Sequence, residues 1–209
     1  MKILVTGAAG YIGKQLIEYL YLQSTHEIVA CDIRDENPFP HLPNVMYKKM
    51  DIRSEDVLTE MQARRVDVVV HLASIVTPGK KSNREFEYSV DVVGTKNIVE
   101  ACVKTNVKRI IISSSGAAYG YHPENTKWLV ETDPIRGNEQ FAYSYHKRLV
   151  EEMLASYREQ HPQLEQTIFR IGTILGRTVS NQITNLFDQR FLMGIRGSKS
   201  PFVFIWDED

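Results

Sequence analysis

The sequence predicts an open α/β domain in which a mostly parallel sheet carries helices on both faces. Short β-branched runs alternate with longer segments of helical periodicity, which is the pattern of consecutive strand–helix–strand units. The run at residues 66–72 is apolar almost throughout, as expected of a central parallel strand that is buried on both faces. A chain of 209 residues is long enough for one domain with a sizeable core.

The individual elements follow from local patterns. Residues 11–23 form a predicted helix, because Ile12, Leu16, Ile17 and Leu20 fall on one face. Ser54 is a predicted cap of the next helix, with acidic side chains in the first turn. The other predicted helices are 83–105, 143–160 and, from a weaker pattern, 181–193. The predicted strands are 2–6, 27–31, 45–49, 66–72, 108–113, 164–170 and 201–206.

Composition excludes several classes of function. The chain has 43% hydrophobic and 24% charged residues and a formal net charge of −1, which gives no reason to expect a nucleic-acid or anionic-membrane partner. The start shows no signal peptide, and no apolar stretch approaches the roughly 20 residues that span a bilayer. Cys31 and Cys102 lack metal-ligand spacing and read as reduced core residues. We therefore expect a cytoplasmic protein without a metal site.

A glycine-rich loop follows the first strand at Gly7, Gly10 and Gly13. Glycines at a strand-to-helix turn let the backbone approach a pyrophosphate, which then faces the helix N-terminus. A turn that needs positive φ would explain one or two of them without a ligand. Between strand and helix, however, the loop predicts a dinucleotide site in a Rossmann-type, doubly wound parallel sheet. The candidate cofactor-binding residues here are Gly7, Ala9, Gly10, Tyr11, Ile12 and Gly13.

An acidic residue lies where the adenosine ribose is expected. Asp32 ends the second strand, 19 residues after Gly13. Its carboxylate can accept hydrogen bonds from the ribose hydroxyls and would repel a 2′-phosphate, so we predict NAD, with NADP left open by the nearby Arg34. Asp51, after the third strand, could lie at the adenine edge or could cap the following turn. Ile33 and Ile52, which follow these two carboxylates, are also candidate cofactor-binding residues.

Tyr143 and Lys147 form a Y-x-x-x-K pair on one predicted helix. Positions i and i+4 share a helix face, so the phenol and the ammonium project together. A nearby ammonium favours the phenolate, and the phenol can then act as a general base or acid toward a substrate hydroxyl. Tyr145 lacks such a partner, because Leu149 follows it by four residues. The spacing alone is common on surface helices.

Three serines, Ser113 to Ser115, end the strand predicted at 108–113. Ligands of open α/β sheets bind at the carboxyl ends of the strands, where a serine can hydrogen-bond the reacting oxygen. The alternative is an ordinary polar loop.

Taken in order along the chain, these motifs resemble the extended branch of the short-chain dehydrogenase/reductase superfamily, the NAD-dependent epimerases and dehydratases. The matching segments are 6–13, Asp32, 51–52, 71–74, 92–97, 113–120, 143–147 and Arg170. The resemblance implies that Ser115, Tyr143 and Lys147 are catalytic, and that Lys147 also binds the nicotinamide ribose and lowers the Tyr143 pKa. It further implies cofactor contacts from the segment His71–Ser74, which includes Leu72, Ala73 and Ser74, and from Ser113 and Tyr143.

The resemblance is incomplete at a few positions. Asp91 stands where the family usually has Asn, which helps to organise the helix and a water near the lysine. Ala117 replaces a Ser or Thr that contacts the sugar in many nucleotide-sugar enzymes, and Ile171 replaces a common Pro. Extended members usually continue past a segment similar to residues 204–209. We therefore expect an NAD(P)-binding domain over 1–170 and a truncated, partial substrate-binding region over 171–209.

The function expected from the resemblance is hydride transfer at a hydroxyl-bearing carbon, most commonly that of a nucleotide sugar. Two alternatives remain: a reductase or dehydrogenase of a non-sugar alcohol or ketone, and a non-catalytic dinucleotide sensor or scaffold. The complete Ser115, Tyr143 and Lys147 set argues against the sensor. Because relatives pair the helices that correspond to 83–105 and 143–160, we also expect a homodimer.

Overall fold

Six parallel strands form the central sheet. They are β1 (Lys2–Thr6), β2 (Glu27–Asp32), β3 (Val45–Lys49), β4 (Val68–His71), β5 (Arg109–Ser115) and β6 (Glu165–Ile171). Their order across the sheet is β3-β2-β1-β4-β5-β6, and every neighbouring pair is parallel. The strand order reverses between β1 and β4, where the crevice of a doubly wound sheet opens. The predicted Rossmann-type fold class is thus confirmed.

The computed structural model describes residues 1–23, 26–77, 83–181, 183–191, 194, 196–197 and 202–208. The helices that flank the sheet are α1 (Tyr11–Gln23), α2 (Asp56–Arg64), α3 (Arg84–Tyr88), α4 (Thr95–Lys104) and α5 (Ala142–Gln160). Gly116–Tyr119 is a 3₁₀ turn after β5. In these ranges no helix combines the length and the apolar character that crossing a membrane requires.

The helix predicted at 83–105 contains a π-helical segment, Ser89–Gly94, between α3 and α4. The Asn83 side chain caps α3 by accepting a hydrogen bond from the Phe86 N–H at 2.8 Å. A Cβ at Gly94 would lie 2.6 Å from Ile52 Cδ1, so the widened turn lies close against the segment after β3. The segment also brings Asp91 into the protein interior, where it is 3% exposed.

Alternating residues of the strands contribute to two hydrophobic cores, one on each face of the sheet. On β1, Leu4 belongs to the core that includes Val150 and Leu154 of α5. Its neighbours Ile3 and Val5 belong to the other core, which is formed with α1. Because successive strand residues point to opposite faces, a strand that is apolar throughout fits only a sheet covered on both sides.

After β6 the structure departs from the sequence prediction. A separate two-stranded parallel sheet joins β7 (Thr173–Leu175) to β8 (Phe204–Trp206). The helix predicted at 181–193 is wrong in extent, because among the described residues only α6 (Thr184–Phe187) is helical. Asn181 Oδ1 accepts from the Thr184 N–H at 2.9 Å and starts the turn, but no residue of α6 is buried against a partner layer. Residues 182, 192, 193 and 201 of the predicted elements lie outside the described residues.

Candidate active site

The glycine-rich loop connects β1 to α1 with two glycines that the protein's own packing requires. Gly7 has φ of +67°, and a Cβ there would lie 2.7 Å from the Ala73 backbone nitrogen. A Cβ at Gly13 would lie 2.7 Å from the Ala8 carbonyl oxygen. These two glycines let the loop pack closely on itself and on the segment after β4.

Gly10 is less constrained by the surrounding packing than Gly7 and Gly13. Its φ is not in the left-handed region, and the nearest atom to a Cβ there would be the Gly7 carbonyl oxygen at 3.1 Å. Its own N–H donates to that same carbonyl at 3.0 Å. Gly10 therefore leaves a bare stretch of backbone directly before α1, whose first N–H groups have no intrahelical acceptors. This is the surface that a pyrophosphate fits.

Asp32 is tied directly to the loop. Its Oδ2 accepts from the Ala9 N–H at 2.9 Å, and its Oδ1 accepts from the Arg34 N–H at 3.2 Å. The Arg34 guanidinium in turn donates to the Ala9 carbonyl at 2.6 Å. Ile33, the next candidate residue, is exposed. The structure thus brings the predicted ribose-binding carboxylate and an arginine to the same edge of the loop.

Asp51 and Ile52 contact other residues near the end of β3. The Asp51 carboxylate accepts a bidentate pair from Arg53, with the Nη2–Oδ2 distance at 2.6 Å. The Arg53 hydrogen bonds hold the pKa of Asp51 below its ordinary value. Ile52 is buried and lies against Gly94. The Asp51 contacts are those expected of a side chain that caps the turn after β3, with Arg53 as its partner.

The segment after β4 lies against the loop through a buried polar chain. The Thr6 hydroxyl lies 2.7 Å from His71 Nδ1 and also accepts from the Ala73 N–H at 3.4 Å. His71 Nε2 lies 3.0 Å from the Thr95 hydroxyl, which donates to the Asp91 carbonyl. Because the Thr95 hydroxyl donates its proton to the Asp91 carbonyl, it accepts a hydrogen bond from His71 Nε2, and the Thr6 hydroxyl donates to Nδ1. His71 is therefore neutral and carries its proton on Nε2. Burial, together with the Lys147 charge, lowers the pKa of His71 to about 3.

The three serines after β5 have different surroundings. The Ser114 hydroxyl is buried and donates to Glu151. The Ser113 carbonyl accepts from the Lys147 ammonium at 3.0 Å, and the Ser113 hydroxyl lies 3.5 Å from the His71 carbonyl. Ser115 Oγ accepts from the Ala117 N–H at 3.1 Å, which leaves the hydroxyl proton for another partner. Ser115 is the serine whose side chain lowers the pKa of the Tyr143 phenol.

Tyr143 and Lys147 meet at this serine, as the helix spacing predicts. The Lys147 Nζ lies 5.5 Å from the centre of the Tyr143 ring. Burial raises the pKa of the Tyr143 phenol, the Ser115 hydrogen bond lowers it, and the Asp91 carboxylate raises it again, with a net rise. Burial lowers the pKa of the Lys147 ammonium, and although Asp91 and Glu151 raise it, the net shift is downward. The lowered Tyr143 pKa that the resemblance implies is therefore not what these surroundings produce, because burial and Asp91 outweigh the Ser115 hydrogen bond.

Arg170 was matched to the family, but its partners Glu151 and Tyr119, and the buried His146, escaped the sequence prediction. The Arg170 guanidinium donates to both Glu151 oxygens, and its Nη1 donates to the Tyr119 hydroxyl at 2.7 Å. Glu151 lies four residues after Lys147, so helix periodicity could have found it. His146 is buried beside Asp91, and its position directly before Lys147 was the available signal.

The C-terminal segment also reaches the loop. The Tyr11 hydroxyl donates to the Asp207 carboxylate and lies 3.3 Å from the Thr178 hydroxyl. The mouth of the site is thus bordered by residues from both parts of the chain. A phenol, an ammonium and a hydroxyl converge beside a bare glycine loop, and this set can exchange a proton with a substrate hydroxyl and orient it.

Comparisons with known proteins point in the same direction. The profile of the NAD dependent epimerase/dehydratase family matches residues 3–201. The UDP-glucose 4-epimerase of Yersinia enterocolitica is 28% identical over 88% of this chain, and the D-erythronate dehydrogenase of Haemophilus influenzae is 29% identical over 75%. The UDP-glucose 4-epimerase of Thermus thermophilus, solved with NAD, superimposes with a TM-score of 0.72 at 27% identity over 86% of this chain.

The chain spans only part of each of these proteins. It covers 56% of the Yersinia sequence, 50% of the Haemophilus sequence and 58% of the Thermus chain.

Proposed function

Since the chain belongs to the NAD-dependent epimerase/dehydratase family, we propose that it binds NAD at the loop Gly7–Gly13 and acts on a hydroxyl-bearing carbon of a nucleotide sugar. The observation that carries the proposal is the meeting of Ser115, Tyr143 and Lys147 at the carboxyl end of β5. The relatives with UDP-sugar names support the substrate class.

The cofactor site follows from the loop and its neighbours. The bare backbone at Gly10 and the start of α1 would hold the pyrophosphate, and Asp32 would accept hydrogen bonds from the adenosine ribose. Leu72, Ala73 and Ser74 would lie beneath the nicotinamide half, and Lys147 would bind its ribose. In this division residues 1–170 hold the dinucleotide, and residues 171–209 contribute part of the substrate wall.

The side chains divide the proton chemistry among them. When bound, NAD would supply hydride-transfer chemistry at the reacting carbon, and in epimerases and dehydratases the hydride is returned within one cycle. Tyr143 Oη, once its own proton has left to solvent, accepts the proton of the substrate hydroxyl as a general base and gives it back as a general acid. The Ser115 hydroxyl, which accepts from the Ala117 N–H through one lone pair, can donate its proton to the reacting oxygen. The Lys147 ammonium offsets negative charge as the phenol ionises.

A second candidate is a dehydrogenase of a non-sugar hydroxy acid. The similarity to a D-erythronate dehydrogenase favours it, as does Ala117 in place of a hydroxyl-bearing residue. The two candidates share the same Tyr143 chemistry. They differ in whether the hydride returns to the substrate or leaves on the cofactor.

Replacement of Tyr143 tests the catalytic assignment. The full chain is incubated with NAD⁺ and UDP-glucose, and formation of the 4-epimer is followed by chromatography, while NAD⁺ affinity is measured by calorimetry. Tyr143→Phe should lower turnover by about 10²- to 10⁴-fold, because the general acid/base is gone, and should leave NAD⁺ affinity nearly unchanged.

Tyr145→Phe is the matched control, since it removes a phenolic hydroxyl two residues away and should leave turnover intact. Undiminished turnover in Tyr143→Phe contradicts the assignment. NADH formation from D-erythronate, without epimer formation from UDP-glucose, favours the second candidate.

A further inference from the structure

An ion pair joins the helix of the proposed catalytic residues to the last strand of the sheet. Glu151 lies one helical turn beyond Lys147 on α5, and its carboxylate is buried. Both of its oxygens accept from Arg170 of β6, with the Nε–Oε2 distance at 2.9 Å and the Nη2–Oε2 distance at 2.7 Å. The proton chemistry proposed above makes no use of either residue.

The same carboxylate also binds the strand that carries the serines. Ser114 lies beside Arg170 in the β5–β6 register, so both side chains are on one face of the sheet. The buried Ser114 hydroxyl donates to Glu151. One residue earlier, the Ser113 carbonyl accepts from Lys147 at 3.0 Å. Glu151 is thus a second attachment of α5 to the end of β5.

The other end of the Arg170 guanidinium binds the chain that follows β5. Its Nη1 donates to the Tyr119 hydroxyl at 2.7 Å and to the Glu131 carbonyl at 3.1 Å. The Tyr119 hydroxyl donates its own proton to the Val130 carbonyl at 2.9 Å. One arginine therefore connects α5 to both the turn after β5 and the loop beyond it.

Ser115 lies between these two attachments. It is the cap residue of the 3₁₀ turn Gly116–Tyr119, and its Oγ accepts from the Ala117 N–H. Ser114, directly before it, is held by Glu151, and Tyr119, at the end of the turn, is held by Arg170. The short segment that carries Ser115 is therefore fixed on both sides by one ion pair.

The shape of a guanidinium makes this connection rigid. An arginine head group is planar and presents its donors in a fixed fork, whereas a lysine ammonium is a compact point charge on a flexible stem. One edge of Arg170 binds α5 and the other binds the turn, so the head group sets their separation. A misplacement of about 1 Å between reacting groups can lower turnover by about 10²-fold.

We propose that Glu151 and Arg170 are positioning residues, which hold the segment that carries Ser115 against α5, the helix of the other two proposed catalytic residues. They act through the hydroxyl groups at positions 114 and 119. The proposal rests on the proposed function for the reaction that this geometry serves, whereas the connection itself is testable without NAD or substrate.

Hydrogen exchange of the full chain without ligand tests the connection. Arg170→Lys keeps a positive charge for Glu151, so the carboxylate is not left unpaired, but it loses the fork. The backbone N–H groups of residues 117 and 120, which are bonded within the turn, should exchange about tenfold faster, because the turn opens more often. Unchanged exchange at these two positions overturns the proposal.

Arg109→Lys is the matched control. Arg109 also lies on the β5–β6 pair, beside Glu165, and its Nε donates to that carboxylate at 2.8 Å. This ion pair is exposed and lies at the opposite end of the two strands. Its replacement should leave the exchange of the turn and the turnover unchanged. Equal acceleration of exchange in Arg109→Lys and Arg170→Lys would mean that any weakening of the strand pair loosens the turn, which overturns the proposal.

Turnover separates positioning from a merely structural role. Sites that bind NAD⁺ are counted by calorimetry, and epimer formation from UDP-glucose is measured per site. In Arg170→Lys kcat should fall by about 10- to 10²-fold, with KM and NAD⁺ affinity within about twofold of the wild type. A structural role alone would lower the number of sites and leave kcat per site unchanged, and that result overturns the proposal, as does a rise in KM alone.

Tyr119→Phe is a milder variant that keeps the ion pair and removes one of its attachments. Its kcat should fall by about three- to tenfold, and the loss in the double variant with Arg170→Lys should be well below the product of the two single losses, because Tyr119 acts through Arg170. An unchanged kcat in Tyr119→Phe, or losses that multiply, overturns the proposal. If the wild-type chain itself shows no turnover, the proposed function fails, and hydrogen exchange still decides whether the ion pair holds the turn.

Discussion

The six-stranded sheet and the C-terminal segment at residues 173–208 both contain apolar strands, but they bury them to very different degrees. Leu4 in β1 is 0% exposed, whereas Phe204 in β8 is 62% exposed. β1 has a strand on each side and a core on each face. Within the described residues, β7 and β8 pair with each other alone. Strand pairing therefore does not by itself create a core, because a second layer must cover the face.

The same contrast separates the two parts of the site. The proposed catalytic groups and the loop lie on the packed sheet, where buried neighbours hold each side chain. The C-terminal segment reaches them through Asp207, which accepts from the Tyr11 hydroxyl and lies directly against Gly176. The proposed division into a cofactor-binding part and a substrate-binding part therefore coincides with a difference in packing.

Matched truncations in the two strands should show the largest difference. Leu4→Ala removes a fully buried side chain and should lower the free energy of unfolding by about 2–5 kcal/mol. Phe204→Ala removes a larger but exposed side chain and should cost less than about 1 kcal/mol. Urea denaturation followed by circular dichroism measures both. Equal losses would mean that β8 has a covering layer in solution, and the contrast would fail.

The buried polar chain of the sheet predicts an acid sensitivity that the C-terminal segment does not share. His71 stays neutral in the folded protein down to a pKa of about 3, but in the unfolded chain it takes up a proton near pH 6.5. Stability is therefore lost as the pH falls from 6.5 toward 3, by about 1.4 kcal/mol per pH unit from this residue.

Between pH 7 and pH 5 the loss due to His71 should amount to about 2 kcal/mol. Urea denaturation at the two pH values should show a smaller drop in His71→Gln than in the wild type. The exposed His41→Gln is the control, and its drop should match that of the wild type. If His71→Gln and the wild type lose the same stability, His71 is not the source of the acid sensitivity.

Sequence patterns predicted most of the sheet because its strands and helices are periodic and locally punctuated. Gly7 was found in a glycine-rich loop and Asp32 at a strand end. The Tyr143–Lys147 pair was found from helix spacing together with the family resemblance. Helix 181–193 was overestimated, because apolar residues there suggested a face that the structure does not bury. Local patterns carry no information about which layer, if any, covers such a face.

The electrostatics of the site depended on contacts between distant segments. The positions of Asp91 and His146 are far apart in sequence, and their approach at 3.6 Å requires the π-helical segment to meet α5. The partnership of Glu151 with Arg170 likewise needs α5 to pack beside β6. The sequence identified Asp91 as a departure from its family, but only the fold shows that it lies beside His146.

The smallest expected effect concerns the edge of the loop where Asp32 and Arg34 meet. Asp32→Ala removes the carboxylate that would bind the ribose hydroxyls and repel a 2′-phosphate, and it leaves Arg34 in place to attract that phosphate. The ratio of NAD⁺ to NADP⁺ affinity should fall by about tenfold, which corresponds to about 1.4 kcal/mol. Asp32→Asn keeps an oxygen for the Ala9 N–H and isolates the effect of charge from that of loop support. Calorimetry with both cofactors measures the ratio. An unchanged ratio in both variants would mean that Asp32 does not bind the ribose. A fall in Asp32→Ala alone would mean that Asp32 acts by supporting the shape of the loop.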